Sequence, residues 1–135
     1  MSHVTGISEL KSLRVILKAD EHTILSDEPV ITGGTNEGMD PFDLIAASLA
    51  SCTIITIQMY LRRKEWEVEE LRIEVDLESD LLKGGTTTVF TRKLFVRSNL
   101  PEASLQRLKT IADSCAISKM LKAGNNSINT TLEKI

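Results

Sequence analysis

Histidine and cysteine are both scarce in this chain, with two of each among 135 residues. His3 and His22 stand far from Cys52 and Cys115, and neither histidine is spaced with a cysteine in any zinc-ligand pattern, so a metal centre is not expected. Long runs of lysine and arginine are missing as well. Net charge is −3, and the basic cluster Arg62–Lys64 reads as the end of a helix, where cations complement the helix dipole. Nucleic acid is therefore a poor candidate partner. The chain also lacks a phosphate-binding glycine motif and any internal repeat.

The N-terminus, MSHVTGISEL, has no basic start followed by an apolar block, so no secretory signal is expected and the cytoplasm is the default location. The longest apolar run, Leu44 to Leu61, is broken by Ser48, Ser51, Cys52, Thr53, Thr56 and Gln58, which argues against a membrane span. In a reducing compartment two cysteines do not suggest a static structural disulfide. They suggest a transient redox pair or two inert buried thiols. Hydrophobic residues at 41% and charged residues at 26% describe an ordinary globular protein. The length is that of a single domain over residues 1–135, near the size where a second subunit helps considerably.

Local patterns organise the chain. The stretch LRVIL at Leu13–Leu17, the turn KADEH and the following TIL read as a hairpin. A loop with one proline and three glycines, SDEPVITGGTNEGMD, then delivers the chain to a helix. Asp40 can cap it, Pro41 suits the first position and Asp43 completes a capping box, which predicts a helix from Pro41 to about Lys64. LRIEVDLE at Leu71–Glu78 alternates with period two and predicts a strand. TTTVFTRKLFV at Thr86–Val96 predicts its antiparallel partner. Pro101 and Glu102 open a second helix on which Leu105, Leu108, Ala112 and Cys115 recur at intervals of three and four. AGNN stops any helix beyond Cys115, and SINTTLEKI alternates again as a final strand. Strands, helix, two strands, helix and strand together predict an α+β domain with helices packed on antiparallel sheet.

The first helix is apolar on both sides. Ile45, Ser48, Leu49, Ile55, Thr56 and Met59 share a face with Cys52, while Ala47, Ala50, Ile54 and Ile57 lie opposite. One sheet covers one face only, so another helix or a second subunit must cover the rest.

The segment DEPVITGGTNEGMDPFDLIAASLASCTIITIQMYLRRKEW, with IADSCAISKML further on, resembles the osmotically induced protein/organic hydroperoxide resistance family, OsmC/Ohr. The shared features are a GG loop, a Pro-x-Asp/Glu-Leu helix start, an alanine-rich turn leading to a cysteine, Met-Tyr followed by basic residues and tryptophan, and a second cysteine. The resemblance runs from about Leu13 to Leu132. It implies an intertwined homodimer in which antiparallel sheets wrap two central helices. It also implies a thiol peroxidase: Cys52 attacks an organic hydroperoxide, Cys115 closes a disulfide with it, and a dithiol reductant reopens that bond. No metal or organic cofactor is implied.

Such chemistry needs a thiolate at a site whose burial opposes one. In peroxidase members of the family an arginine held by a glutamate at the helix start supports the thiolate. Here that glutamate position falls on Phe42 with Asp43 beside it, so Asp43 is either the acid or only a helix cap. Arg14 is the candidate arginine, with Arg92 as a rival. Where the family often has Cys-Pro-Val-His, this chain has Cys115-Ala116-Ile117-Ser118. The alternative to an enzyme is a small-molecule-binding protein of the same fold, its apolar pocket merely lined by the thiols.

Overall fold

Apolar side chains in the first 26 residues pair into β1 (Thr5–Ser8), β2 (Val15–Ala19) and β3 (His22–Ser26), an antiparallel sheet in that order, in the computed structural model, which describes residues 1–135. Ala19 pairs with His22 across a two-residue turn in which Asp20 adopts a φ of 51°, a left-handed conformation that aspartate tolerates. After β3 the loop folds around Asp27. This buried carboxylate accepts the amides of Glu28, Thr35 and Glu37 and the Thr35 hydroxyl. Two glycines make that path possible, because a Cβ at Gly34 would strike the Glu28 backbone and one at Gly38 the Leu25 backbone.

Helix α1 spans Pro41–Lys64 and starts as expected, with Asp40 and Asp43 exchanging backbone-to-carboxylate hydrogen bonds at 2.8 and 3.4 Å. It ends in a Schellman arrangement: the Trp66 amide bonds the Leu61 carbonyl, the Glu65 amide bonds the Arg62 carbonyl, and Glu65 sits at φ 56°. Leu61 and Trp66 then meet in the core. The strands β4 (Glu70–Ser79) and β5 (Thr88–Arg97) form a second, two-stranded sheet. Glu69 bonds Arg97 at one end and Asp80 bonds Thr87 at the other, which fixes the pair as antiparallel. In β4 the charged residues Arg72, Glu74, Asp76 and Glu78 are exposed, and the apolar residues between them are half-buried. Helices α2 (Glu102–Ala112) and α3 (Ala116–Ala123) complete the chain's regular elements, so the architecture is α+β with three helices and two antiparallel sheets.

The chain divides into two compact units, residues 1–47 with 76–91, and residues 48–75 with 92–135. The second holds the main core. Ile57, Tyr60 and Leu61 of α1 pack with Leu108 and Ala112 of α2, bordered by Trp66, Val68, Leu71, Leu94 and Val96. Leu49, Thr53, Ile57, Tyr60 and Leu61 recur at four- and three-residue steps and form the covered face of α1, while Ile45, Ile55 and Met59 remain 43%, 51% and 66% exposed. By length and composition alone α1 could cross a bilayer, with mean hydropathy 1.7 over its most apolar stretch. An arginine guanidinium bonded to Thr53 in the middle of this helix is costly in hydrocarbon and fits a protein-covered helix instead.

Two expectations are corrected. Residues 124–135 form no strand: α3 ends at Gly124 with φ 68°, and Ile128, Leu132 and Ile135 are fully exposed. Alternation supplies a strand's side-chain pattern but not a neighbouring edge, and no strand of this chain pairs with the segment. Nor does Cys115 lie on the second helix. That helix stops at Ala112, and Cys115 begins the third, because Asp113 and Ser114 turn back on the last α2 carbonyls and open the chain.

Candidate functional site

Cys52 sits midway along α1, half-buried, with the hydroxyl of Thr56 one turn on, itself bonded to the Cys52 carbonyl at 2.7 Å. Cys115 is fully buried at the junction of α2 and α3. There it serves as the N-cap residue of α3, its sulfur accepting the Ser118 amide at 3.4 Å. Both cysteines are free thiols. The α2–α3 break leaves the Cys115 thiol and the first α3 amides, those of Ala116 and Ile117, beside the Cys52 thiol.

This geometry sets the acidity of Cys52. Burial pushes its pKa up, and that is the largest single influence. The neighbouring polar groups, the Cys115 thiol first and then the Ile117 and Ala116 amides and the Thr56 hydroxyl, together outweigh it, so the net shift is downward. Donors aimed at a sulfur stabilise the thiolate, and a helix N-terminus adds a favourable dipole. The result is a partly accessible sulfur with a lowered pKa beside a second thiol that is inaccessible to solvent. Chemically, the first can act as a nucleophile and the second can attack only a partner already next to it.

Arg92 of β5 completes the surroundings. Its guanidinium, with the side chain 17% exposed, donates through Nη1 to Thr53 Oγ1 at 3.0 Å and to the Ala112 carbonyl at 3.0 Å. Nη2 donates to Asp113 Oδ1 at 2.9 Å and, more weakly, to Ser118 Oγ at 3.5 Å. Lys122 also binds Asp113, at 3.2 Å. The Lys122 ammonium is the main reason the Asp113 carboxyl lies below the usual carboxylate range. Burial opposes the shift and Arg92 adds to it.

Of the residues singled out in the sequence, the fold brings Cys52 and Cys115 together. Asp43 instead holds the amide of Asp40 at the start of α1, nine residues before Cys52 on one continuous helix. That separation is about 13 Å along the axis and on the opposite side. Arg14 pairs with Glu9 at 3.2 Å and with Glu37. Thr53 and Ser118 were not anticipated. A threonine inside an otherwise apolar run was the available signal for the first, since a hydroxyl on a packed helix face must find a partner; the structure buries it fully. The second carried no sequence signal, because its place depends on Cys115 starting a separate helix, which apolar spacing does not reveal.

No curated protein sequence matches the chain. Solved structures do. The chain is similar to a putative osmotic stress induced and detoxification response protein from Psychrobacter arcticus 273-4, with a TM-score of 0.75 and 22% identity over 89% of this chain and 88% of that one. It is similar to an OsmC-like protein from Mycoplasma pneumoniae, with a TM-score of 0.77 and 16% identity over 92% and 89%. It is also similar to the organic hydroperoxide resistance protein OhrB of Bacillus subtilis, with a TM-score of 0.63 and 23% identity over 93% and 92%. At these identities the likeness is one of fold. The family described as OsmC-like protein matches residues 34–131, a span that carries Cys52, Arg92 and Cys115, and the chain belongs to that family.

Proposed function

We propose that this protein is a thiol-dependent peroxidase that reduces organic hydroperoxides through Cys52 and Cys115. The observation that carries the reading is the pairing of two free thiols, Cys52 half-buried and Cys115 buried beside it at the start of α3; the polar groups around Cys52 also shift its pKa downward. The Cys52 thiolate attacks the distal oxygen of the hydroperoxide, the O–O bond breaks, and the leaving alkoxide takes a proton to become the alcohol. Cys52 is now a sulfenic acid, oxidised by two electrons. Cys115 attacks that sulfur, a disulfide forms and water leaves. A dithiol reductant returns both thiols by exchange. In this reading the α3 N-terminus activates Cys52, while Asp43 and Arg14 serve the start of α1 and the N-terminal sheet.

The protein works in the cytoplasm as a homodimer. Support for the dimer is the exposure of Ile45, Ile55 and Met59 on α1, a face that a second copy can cover. The test of the activity is one equivalent of cumene hydroperoxide added to the reduced protein, with thiols followed by mass spectrometry. A Cys52–Cys115 disulfide is expected, lost in Cys52→Ser and in Cys115→Ser, the second leaving a sulfenic acid on Cys52 that dimedone traps. Two unmodified thiols after prolonged exposure would reject the peroxidase and favour a binding protein whose thiols line an apolar site.

A further inference from the structure

Arg92 reaches all three helices around the thiols, and each of its acceptors is one step from a sulfur. Thr53 follows Cys52 on α1 and its hydroxyl is fully buried. The Ala112 carbonyl is the last of α2, three residues before Cys115. Ser118 gives its amide to the Cys115 sulfur, and its hydroxyl faces Nη2. Asp113, in the turn between α2 and α3, is held by Arg92 on one side and by Lys122 of α3 on the other. Resting on the thiol-pair reading above, we propose that Arg92 is a positioning residue for the redox pair: it clamps the α2–α3 turn to α1, seats the first amides of α3 against the Cys52 sulfur and holds the two thiols in bonding range.

The chemistry of the side chain supports this role over a direct electrostatic one. The groups acting on the Cys52 thiol are its neighbours Cys115, Ile117, Ala116 and Thr56, and Arg92 is bonded to other partners. A planar guanidinium with donors in a fixed fork can bind two acceptors on one nitrogen and two on the other without moving, which a lysine ammonium cannot reproduce. A cation on the last carbonyl of α2 also ends that helix favourably. The chain therefore breaks before Cys115 without a proline.

The experiment follows Cys52 alkylation by iodoacetamide from pH 5 to 10, residue by residue, and the rate of disulfide formation after cumene hydroperoxide. In Arg92→Met the alkylation midpoint should rise by about one pH unit. Disulfide closure should slow by roughly tenfold or more, with sulfenic acid accumulating for dimedone to trap. Arg92→Lys should recover part of both. Thr53→Val combined with Ser118→Ala should shift both readouts in the same direction while leaving Arg92 in place. An unmoved midpoint and rate in a folded Arg92→Met protein would overturn the clamp. So would an Arg92→Lys protein indistinguishable from wild type, since charge alone would then suffice. Should Arg92→Met fail to fold, the Thr53→Val/Ser118→Ala protein decides: shifted readouts sustain the clamp and unshifted ones reject it. Failure of the wild-type protein to form the disulfide would reject the peroxidase reading, while the alkylation profiles would still test the clamp.

Discussion

Single side chains in this protein differ sharply in what their surroundings do to them. Asp27 is the clearest case outside the thiol pair. The Thr35 hydroxyl is the largest influence on it, burial opposes, and the amides of Glu37, Glu28 and Thr35 bring the carboxyl to about 2. A carboxylate depressed in the folded state stabilises that state above its unfolded pKa of about 3.9 and loses the effect as pH falls through the folded value. Asp27→Asn should therefore lower the Tm at pH 7, and the gap to wild type should close between about pH 4 and pH 2, as thermal melts across that range would show. Cys52 follows the same sign rule. Its pKa is shifted downward by the polar groups around it, so in reduced protein Cys52 should alkylate with a midpoint below that of a free cysteine thiol titrated alongside. The sequence marked Cys52 and Cys115 as a pair only through resemblance. What activates Cys52 was not legible, because the Ala116 and Ile117 amides carry no side-chain signature and arrive from a turn more than sixty positions away.

Among the elements, α1 was the most legible, with bounds of Pro41–Lys64 both expected and observed. Its start is encoded in four adjacent residues, and each half of the capping box can be tested. Asp40→Ala should cost about 1 kcal/mol, measured by urea unfolding, because the Asp43 amide loses its acceptor. The face that α1 buries was less legible, since both sides are apolar. Packing with α2 selects Ile57 and Leu61, and Leu108→Ala on the facing helix should destabilise by about 2–5 kcal/mol in the same assay, a buried side chain being replaced by a cavity. The β4–β5 hairpin followed from alternation to within two residues at each end. The α2–α3 break did not. Apolar spacing ran on through Cys115, whereas the observed end depends on hydrogen bonds from Ser114 and Arg92 to α2 carbonyls, which periodicity does not record.

At the scale of the molecule, two features point past the single chain. Ile45, Ile55 and Met59 leave apolar surface on α1 uncovered, and residues 124–135 carry exposed Ile128, Leu132 and Ile135 with no strand partner. Under the homodimer proposed above, sedimentation equilibrium should give twice the chain mass. Ile55→Asp together with Met59→Lys should shift the protein toward the monomer, because placing charges in a buried apolar interface costs several kcal/mol. A wild-type protein that sediments as a monomer at micromolar concentration would reject the dimer.

What the sequence by itself determined is local and periodic: the cap and length of α1, the alternation of β4, the hairpins and the α+β class, with the order of elements right as far as α2. These need only neighbours along the chain, so short-range sterics, capping and hydrophobic period carry them. Tertiary structure alone decided the rest. It placed Cys115 at a helix start, brought the α3 amides to the Cys52 sulfur, and set Arg92 between three helices while Arg14 turned to Glu9 and Glu37. It also left the last segment unpaired, since a strand requires an edge as well as a pattern. Each of these depends on which distant groups meet, and that is settled by packing and by the need of buried polar atoms to find partners.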